Sequence, residues 1–190
     1  MTQRCLTPPT GPAHDTASTV RAALPVLETE RLTLRAPLMS DFPHWRDLMV
    51  PDDEGFLGGP HTEEEAWEAF CVYAAGWMLH GHGLWTLELR ATGKAIGFVI
   101  VGLEWGDEEP ELGWMIDPQF RGRGFGFEAA RAARDHGLTL FGSDGLVSYV
   151  ASENDPANVL AERLGAKRDR NAEITLGDDQ THVWRYGDTA

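Results

Sequence analysis

The run Arg121-Gly122-Arg123-Gly124-Phe125-Gly126, set between a strand-like segment and a long helical one, constrains this chain more than any other stretch. Glycines at alternate positions carry no Cβ, so the backbone can turn tightly and aim successive N–H groups at one anion. A helix that starts there adds its unpaired N–H groups and the positive end of its dipole. Charge points the same way, because the chain has a formal net charge of -14, yet Arg121 to Arg134 holds four arginines against one acid, Glu128. The segment therefore reads as an anion site for phosphate, or as an ordinary glycine turn with solvated arginines. It is not a Walker A loop, which ends in Gly-Lys-Ser/Thr, since Phe127 and Glu128 follow Gly126. Nor does G-x-G-x-G at mid-chain match the dinucleotide fingerprint, which needs G-x-G-x-x-G after a first strand.

With 190 residues, 42% hydrophobic and 24% charged, the chain suits one soluble domain with a sizeable core. Its longest strongly apolar stretch, Ile96 to Val101, is far short of the roughly 20 residues of a membrane span. The N-terminus lacks the basic-then-apolar order of a secretory signal. Cys5 and Cys71 form neither a disulfide framework nor a metal-ligand spacing, so no metal is expected and a cytoplasmic setting fits. His80 and His82, two apart in a Gly-rich link, fit a helix-ending loop better than a metal site. The acidic balance argues against nucleic acid as partner and suits either a cationic substrate or simple solubility.

Residues 1–25 are rich in Thr, Pro, Ala and Ser with little periodicity, and read as an arm ahead of a domain spanning 26–187. Arg31 to Arg35 alternates like a half-buried strand. Ser40 and Asp41 offer caps for a helix to about Met49, and Thr62 with Glu65 makes a capping box for a helix toward His80. Leu84–Leu89 and Ala95–Leu103 form a hairpin around Ala91-Thr92-Gly93-Lys94, and Glu111–Ile116 is a further strand. A helix follows the glycine-arginine loop, then a strand at Leu146–Ala151. Asp155 as cap, Pro156 at the first turn and Gly165 beyond Leu164 frame a short helix. Ala166–Arg170 and His182–Tyr186 give two last strands around a turn at Gly177-Asp178-Asp179. This order implies an α+β domain on a mixed sheet.

Three segments resemble the GNAT acyltransferase superfamily, in particular its RimJ/RimL-related branch. Leu27 to Arg35 is similar to that branch's first strand. Glu111-Leu112-Gly113-Trp114-Met115-Ile116-Asp117-Pro118, followed by Arg121 to Ala129, resembles the fourth strand with its Q/R-x-x-G-x-G/A cofactor loop. Asn154 with Leu160 to Gly165 is similar to the late Asn-x-x-Ser helix ending in Leu-Gly. The resemblance implies a GNAT fold: a mixed, mostly antiparallel sheet with helices on both faces and a V-shaped splay between its fourth and fifth strands. It implies acetyl-CoA as co-substrate. Pyrophosphate would lie on Arg121, Gly122, Arg123, Gly124, Phe125 and Gly126. Pantetheine would pair along Trp114, Met115 and Ile116, with Asn154 at its acetyl end.

It further implies direct acetyl transfer to a primary amine, whose proton must leave before attack. Glu111 is the first candidate base and Glu104 the second, although acids at strand ends beside Asp107, Glu108 and Glu109 are also commonly just solvated. A backbone N–H near Trp114 or Met115 would face the oxyanion. Ala157 stands where the branch has its serine, leaving Asn158, Ser152, Tyr149 or water to assist the departing thiolate. Trp45, Trp67, Trp77, Trp85, Trp105 and Trp114 divide between core and an aromatic acceptor wall, with Trp105 best placed for the latter. The acceptor is open among protein N-termini, amino acids and other small amines, and the assembly between monomer and homodimer. A non-catalytic acyl-CoA-binding module and a different nucleotide-phosphate binder are the alternatives.

Overall fold

The computed structural model describes residues 3–51, 55–142, 145–177 and 180–187. The strands are β1 (Leu27–Glu28), β2 (Leu32–Arg35), β3 (Leu84–Leu89), β4 (Ala95–Gly102), β5 (Glu111–Ile116), β6 (Leu146–Ala151), β7 (Lys167–Arg168) and β8 (Thr181–Tyr186). The helices are α1 (Pro12–Ala22), α2 (Phe42–Met49), α3 (Glu63–Leu79), α4 (Phe125–Phe141), α5 (Asp155–Arg163) and α6 (Arg170–Leu176). The strands form a mixed sheet in the order β1-β2-β3-β4-β5-β6-β8-β7. Two compact units divide the chain, one up to Phe98 and one from Val99.

In the first unit the segment expected as one opening strand is a hairpin. Thr29 bends it, its N–H donating to the Leu32 carbonyl at 2.9 Å while its Oγ1 accepts from the Leu32 N–H at 2.9 Å. β1 then pairs antiparallel with β2, Leu27 opposite Leu34, and β2 antiparallel with β3, Leu32 opposite Leu89. Leu32 and Leu34 are fully buried, as alternation demands. Thr62 and Glu65 close the expected capping box: the Thr62 N–H donates to Glu65 Oε2 at 2.7 Å and the Glu65 N–H to Thr62 Oγ1 at 3.2 Å. Asp41 does not cap α2 with its side chain. Its buried carboxylate instead accepts from Arg35 at 2.7 Å, from Thr86 Oγ1 at 2.9 Å and from the Leu38 N–H at 2.8 Å. A buried guanidinium outcompetes a solvated helix end for a carboxylate. Ahead of the hairpin, α1 buries none of its residues.

Aromatic packing fills this unit. Trp45 meets Phe98 edge-on at 5.2 Å between centroids, and Trp77 meets Trp85 at 4.5 Å. Each indole N–H finds an oxygen: Trp45 donates to Ala66 at 2.8 Å, Trp77 to Leu84 at 2.9 Å and Trp85 to Pro25 at 2.9 Å.

The second unit holds the strand-loop-helix segment. On α4, Ala129, Ala130 and Ala133 are fully buried, and small residues let the helix close on the sheet. A Cβ at Gly137 would lie 3.1 Å from Leu146 and 3.2 Å from Val101. β6 runs antiparallel to β8, from Leu146 opposite Tyr186 to Ala151 opposite Thr181. The chain after α5 departs from expectation. Strand pairing is confined to Lys167–Arg168, and Arg170–Leu176 is helical. Asp169 caps that helix, accepting from the Asn171 and Ala172 N–H groups at 3.1 and 3.0 Å, and Gly177 ends it at φ 72°. The expected turn continues through Asp178 and Asp179, which lie outside the described residues.

Candidate active site

Every residue the sequence assigns to the site belongs to the second unit, and two strand ends organise them. β5 and β6 run parallel and share one register pair, Glu111 opposite Val147. The Val147 N–H donates to the Pro110 carbonyl at 2.9 Å, and past this point the pairing stops. This is the expected splay, between the strands numbered β5 and β6 once the opening hairpin is counted as two. Trp114 and Met115, half-buried, and Ile116, buried, occupy the parted end of β5.

Beyond β5, Asp117 Oδ1 accepts from the Gln119 N–H at 2.9 Å and starts a single 3-10 turn, Pro118–Phe120. Arg121 ties the loop back to the strand, its Nε donating to the Ile116 carbonyl at 3.1 Å. Gly122 and Gly124 take φ of 72° and 80°, left-handed backbone that a side chain would strain. A Cβ on Gly122 would meet nothing within 4 Å, so the loop is open on that side. Gly124 is the N-cap of α4, which places Phe125 and Gly126 in the helix's first turn rather than in the loop. They stand at the positive end of the helix dipole. Gly126 has a packing task as well, since a Cβ there would lie 3.3 Å from Leu160 and 3.4 Å from Ile116. Arg123 is exposed, with its guanidinium carbon 5.6 Å from the Phe120 ring centroid. Glycine backbone, a helix start and the arginines thus lie at one place.

Asn154, rather than Asp155, caps α5, because its Oδ1 accepts from the Ala157 N–H at 3.2 Å. Its Nδ2 makes no hydrogen bond among the described residues, so capping leaves the amide donor open to a ligand carbonyl. Asn158 pins this corner. Its Nδ2 donates to the carbonyls of Ala151 at 3.0 Å and Asn154 at 2.9 Å, and its Oδ1 accepts from Trp184 Nε1 at 2.8 Å. It also accepts from His182 Nδ1 at 2.9 Å. Both ends of the amide are committed, which removes Asn158 from the groups that could assist a thiolate. Sequence offers Asn158 only as a group to assist the thiolate, because its partners Trp184 and His182 are distant along the chain.

Glu111 begins β5 half-buried, and its carboxyl is pushed up to about 7. Burial is the main cause and the charges of Glu104 and Asp107 add to it, against a hydrogen bond from the Tyr149 backbone N–H. One carboxylate oxygen from each of Glu104, Asp107 and Glu111 lies within 4.8 Å of the other two. The tight turn at 104–107 sets this up: the Glu104 N–H donates to Asp107 Oδ2 at 2.6 Å and the Asp107 N–H to the Glu104 carbonyl at 3.2 Å. It also leaves Trp105 fully exposed, at 104%. Three carboxylates at this spacing would receive a cation, whether a metal or an ammonium. Of the tryptophans weighed for an acceptor wall, Trp45, Trp77 and Trp85 are core, Trp67 and Trp114 are half-buried, and Trp105 alone of the six is fully exposed.

The acetyltransferase (GNAT) domain family matches residues 31–167. The crystal structure of the acetyltransferase from Agrobacterium tumefaciens is 37% identical, with a TM-score of 0.80 over 87% of this chain and 96% of that one. An acetyltransferase from Salmonella typhimurium, described as modifying the N-terminal serine of ribosomal protein L7/L12, is 15% identical. It shares the fold at a TM-score of 0.67, over 87% of this chain and 100% of that one. The N-acetyltransferase YnaD of Bacillus subtilis is 25% identical over 81 residues, 43% of this chain and only 48% of its own length. With the family pattern spanning β2 to β7 and a third of residues shared across a whole solved relative, the chain belongs to the GNAT acetyltransferase family.

Proposed function

We propose that the protein transfers an acetyl group from acetyl-CoA to a primary amine by direct attack. The observation that carries the proposal is the junction of β5, loop and α4. There, Gly122 and Gly124 in left-handed backbone lead from Arg121 and Arg123 into the start of α4, and the parted edge of β5 runs straight into that loop. In this reading the helix start and Arg121 and Arg123 hold the pyrophosphate. The β5 edge from Trp114 to Ile116 pairs with the pantetheine amides as an added strand would. Asn154 Nδ2 takes a carbonyl near the acetyl end, and the Trp114 or Met115 N–H receives the oxyanion.

Glu111 is the base in this reading. An ammonium cannot attack a thioester, and a carboxylate with its pKa near neutrality takes up a proton at physiological pH far better than one near 4. Glu104 and Asp107 would hold the amine as an ammonium until Glu111 accepts its proton. The amine nitrogen then bonds to the acetyl carbon, the C–S bond breaks to release CoA as thiolate, and the surplus proton on the new amide nitrogen passes to that thiolate, leaving neutral amide and thiol. Tyr149 is suited to meet that thiolate, because burial and the nearby charges of Glu109, Asp107, Glu111 and Glu108 keep its phenol protonated. A protein N-terminus, an amino acid and other small amines all satisfy this chemistry.

Incubation with acetyl-CoA and a panel of primary amines, following free thiol, tests the proposal. Release dependent on an amine supports it. Ala157, in place of the family serine, favours a second reading: a module that binds acyl-CoA without turnover. For that reading a rise in melting temperature with CoA, without thiol release for any amine, is the expected result.

A further inference from the structure

The parting of β5 from β6 has a local cause. In a parallel pair, a strand residue that bonds across does so to both neighbours of the residue opposite. With Val147 donating to the Pro110 carbonyl and Glu111 opposite Val147, the next bond in the ladder would run from the Tyr149 N–H to the Leu112 carbonyl. The Leu112 carbonyl accepts from a side chain at this point instead. Ser148 Oγ donates to it at 2.5 Å, and because a carbonyl only accepts, the hydroxyl's proton must lie on that bond. The Ser148 oxygen in turn accepts from the Tyr186 hydroxyl at 3.1 Å. Tyr186 is pushed up to about 12 by burial, so it keeps the proton it donates. The acceptor half of the missing backbone bond is therefore engaged by a side chain. Ser148 is 1% exposed, in a strand whose neighbours Leu146, Val147 and Val150 are apolar, and a buried hydroxyl there has no packing advantage over alanine.

We propose that Ser148, backed by Tyr186, is a positioning residue for acetyl transfer: it occupies the Leu112 carbonyl, stops β6 from zipping onto β5, and keeps the β5 edge beyond Leu112 open for the donor's amides. The inference rests on the donor lying along that edge. Ser148 itself touches no reacting atom. Its removal frees the Leu112 carbonyl for the Tyr149 N–H, which closes one further rung of the sheet and narrows the slot.

Ser148→Ala, with Ser148→Cys as a near-isosteric variant bearing only a weak donor, tests this, and Ser148→Thr restores the hydroxyl. Amide hydrogen exchange at Tyr149, measured without donor, is the first readout: exchange slows in the Ala and Cys variants because the N–H enters the ladder. A merely structural loss would leave it unchanged or speed it. The second readout is steady-state kinetics, with the acetyl-CoA KM raised about tenfold, the equivalent of one lost hydrogen bond. Ser148→Thr returns both toward wild type. Faster or unchanged Tyr149 exchange in folded Ala or Cys variants, or an unmoved KM, overturns the inference. If wild type neither binds nor turns over acetyl-CoA, the donor reading fails while the exchange result still decides whether Ser148 holds the strands apart.

Discussion

Glu111 sets activity and stability against each other. In its proposed role as base, with its carboxyl raised to about 7, Glu111 loses its proton and kcat/KM climbs as pH rises through 7. Glu111→Gln lowers kcat by about 100-fold or more and flattens that profile. Stability runs the other way. Between an ordinary glutamate value and about 7, the folded chain binds a proton that the unfolded chain has released, so folding weakens as pH rises across that window. At pH 8 Glu111→Gln therefore melts above wild type, and by pH 4 the difference closes. Thermal scans at the two pH values check it, and a variant less stable than wild type at pH 8 removes the cause assigned to the shift. Gly124 makes the complementary case. At φ 80° an L-residue costs roughly 1–2 kcal/mol, and Gly124→Asp adds a negative charge at the helix start. CoA affinity in this variant falls at least about tenfold by titration, and unchanged affinity would clear the loop of its assigned role.

At the scale of elements, α5 acts as a cap on the site because Asn158 fastens its first turn to β6 and β8. Asn158→Ala strips partners from the carbonyls of Ala151 and Asn154 and from the Trp184 indole. The expected loss is roughly 1–3 kcal/mol by chemical denaturation, together with a higher acetyl-CoA KM as Asn154 loosens. Loss of stability with an unmoved KM would detach Asn154 from donor binding. How much of this was legible in sequence follows from range. The capping box at Thr62, the β5 boundaries and the glycine-arginine loop are local signals, and each falls where the residues place it. The cap of α5 slips by one, from Asp155 to Asn154, because both residue types cap well and only the backbone turn chooses. The helix at Arg170–Leu176 departs from the sequence reading, although Asp169 and Gly177 frame it as Asn154 and Gly165 frame α5, because Ala166 to Arg170 reads as a longer strand. Asp41, Ser148 and Asn158 are illegible for a different reason: Thr86, the pair Leu112 and Tyr186, and the pair His182 and Trp184, their respective distant partners, lie 24 to 45 residues away, so that no short window of sequence contains the interaction. The rise of Glu111 belongs to the same class, since it needs the turn at 104–107 folded against β5.

Over the whole molecule, charge is arranged so that anions meet cations at one address. Arg35, Arg46, Arg90, Arg134, Arg168 and Arg185 each lie within 4.0 Å of a carboxylate. Arg131 of α4 and Arg163 of α5 do not, among the described residues. Both instead approach the ring of Phe127, three residues past the Gly124 cap, with guanidinium carbons 5.7 and 4.9 Å from its centroid. Two like charges held on one ring repel each other, and an anion at the adjoining helix start relieves that repulsion. In a chain of net charge -14 such an island also offsets the general repulsion of a polyanionic donor. Exposed charges act over about 10 Å at 0.1 M salt and about 3 Å at 1 M, so the donor KM of wild type rises with ionic strength. Arg131→Ala with Arg163→Ala raises that KM up to roughly tenfold at low salt, flattens its salt dependence, and leaves kcat in place. Kinetics across a salt series decide the matter: a wild-type KM indifferent to salt, or a double variant with the wild-type slope, would mean that these arginines serve Phe127 alone.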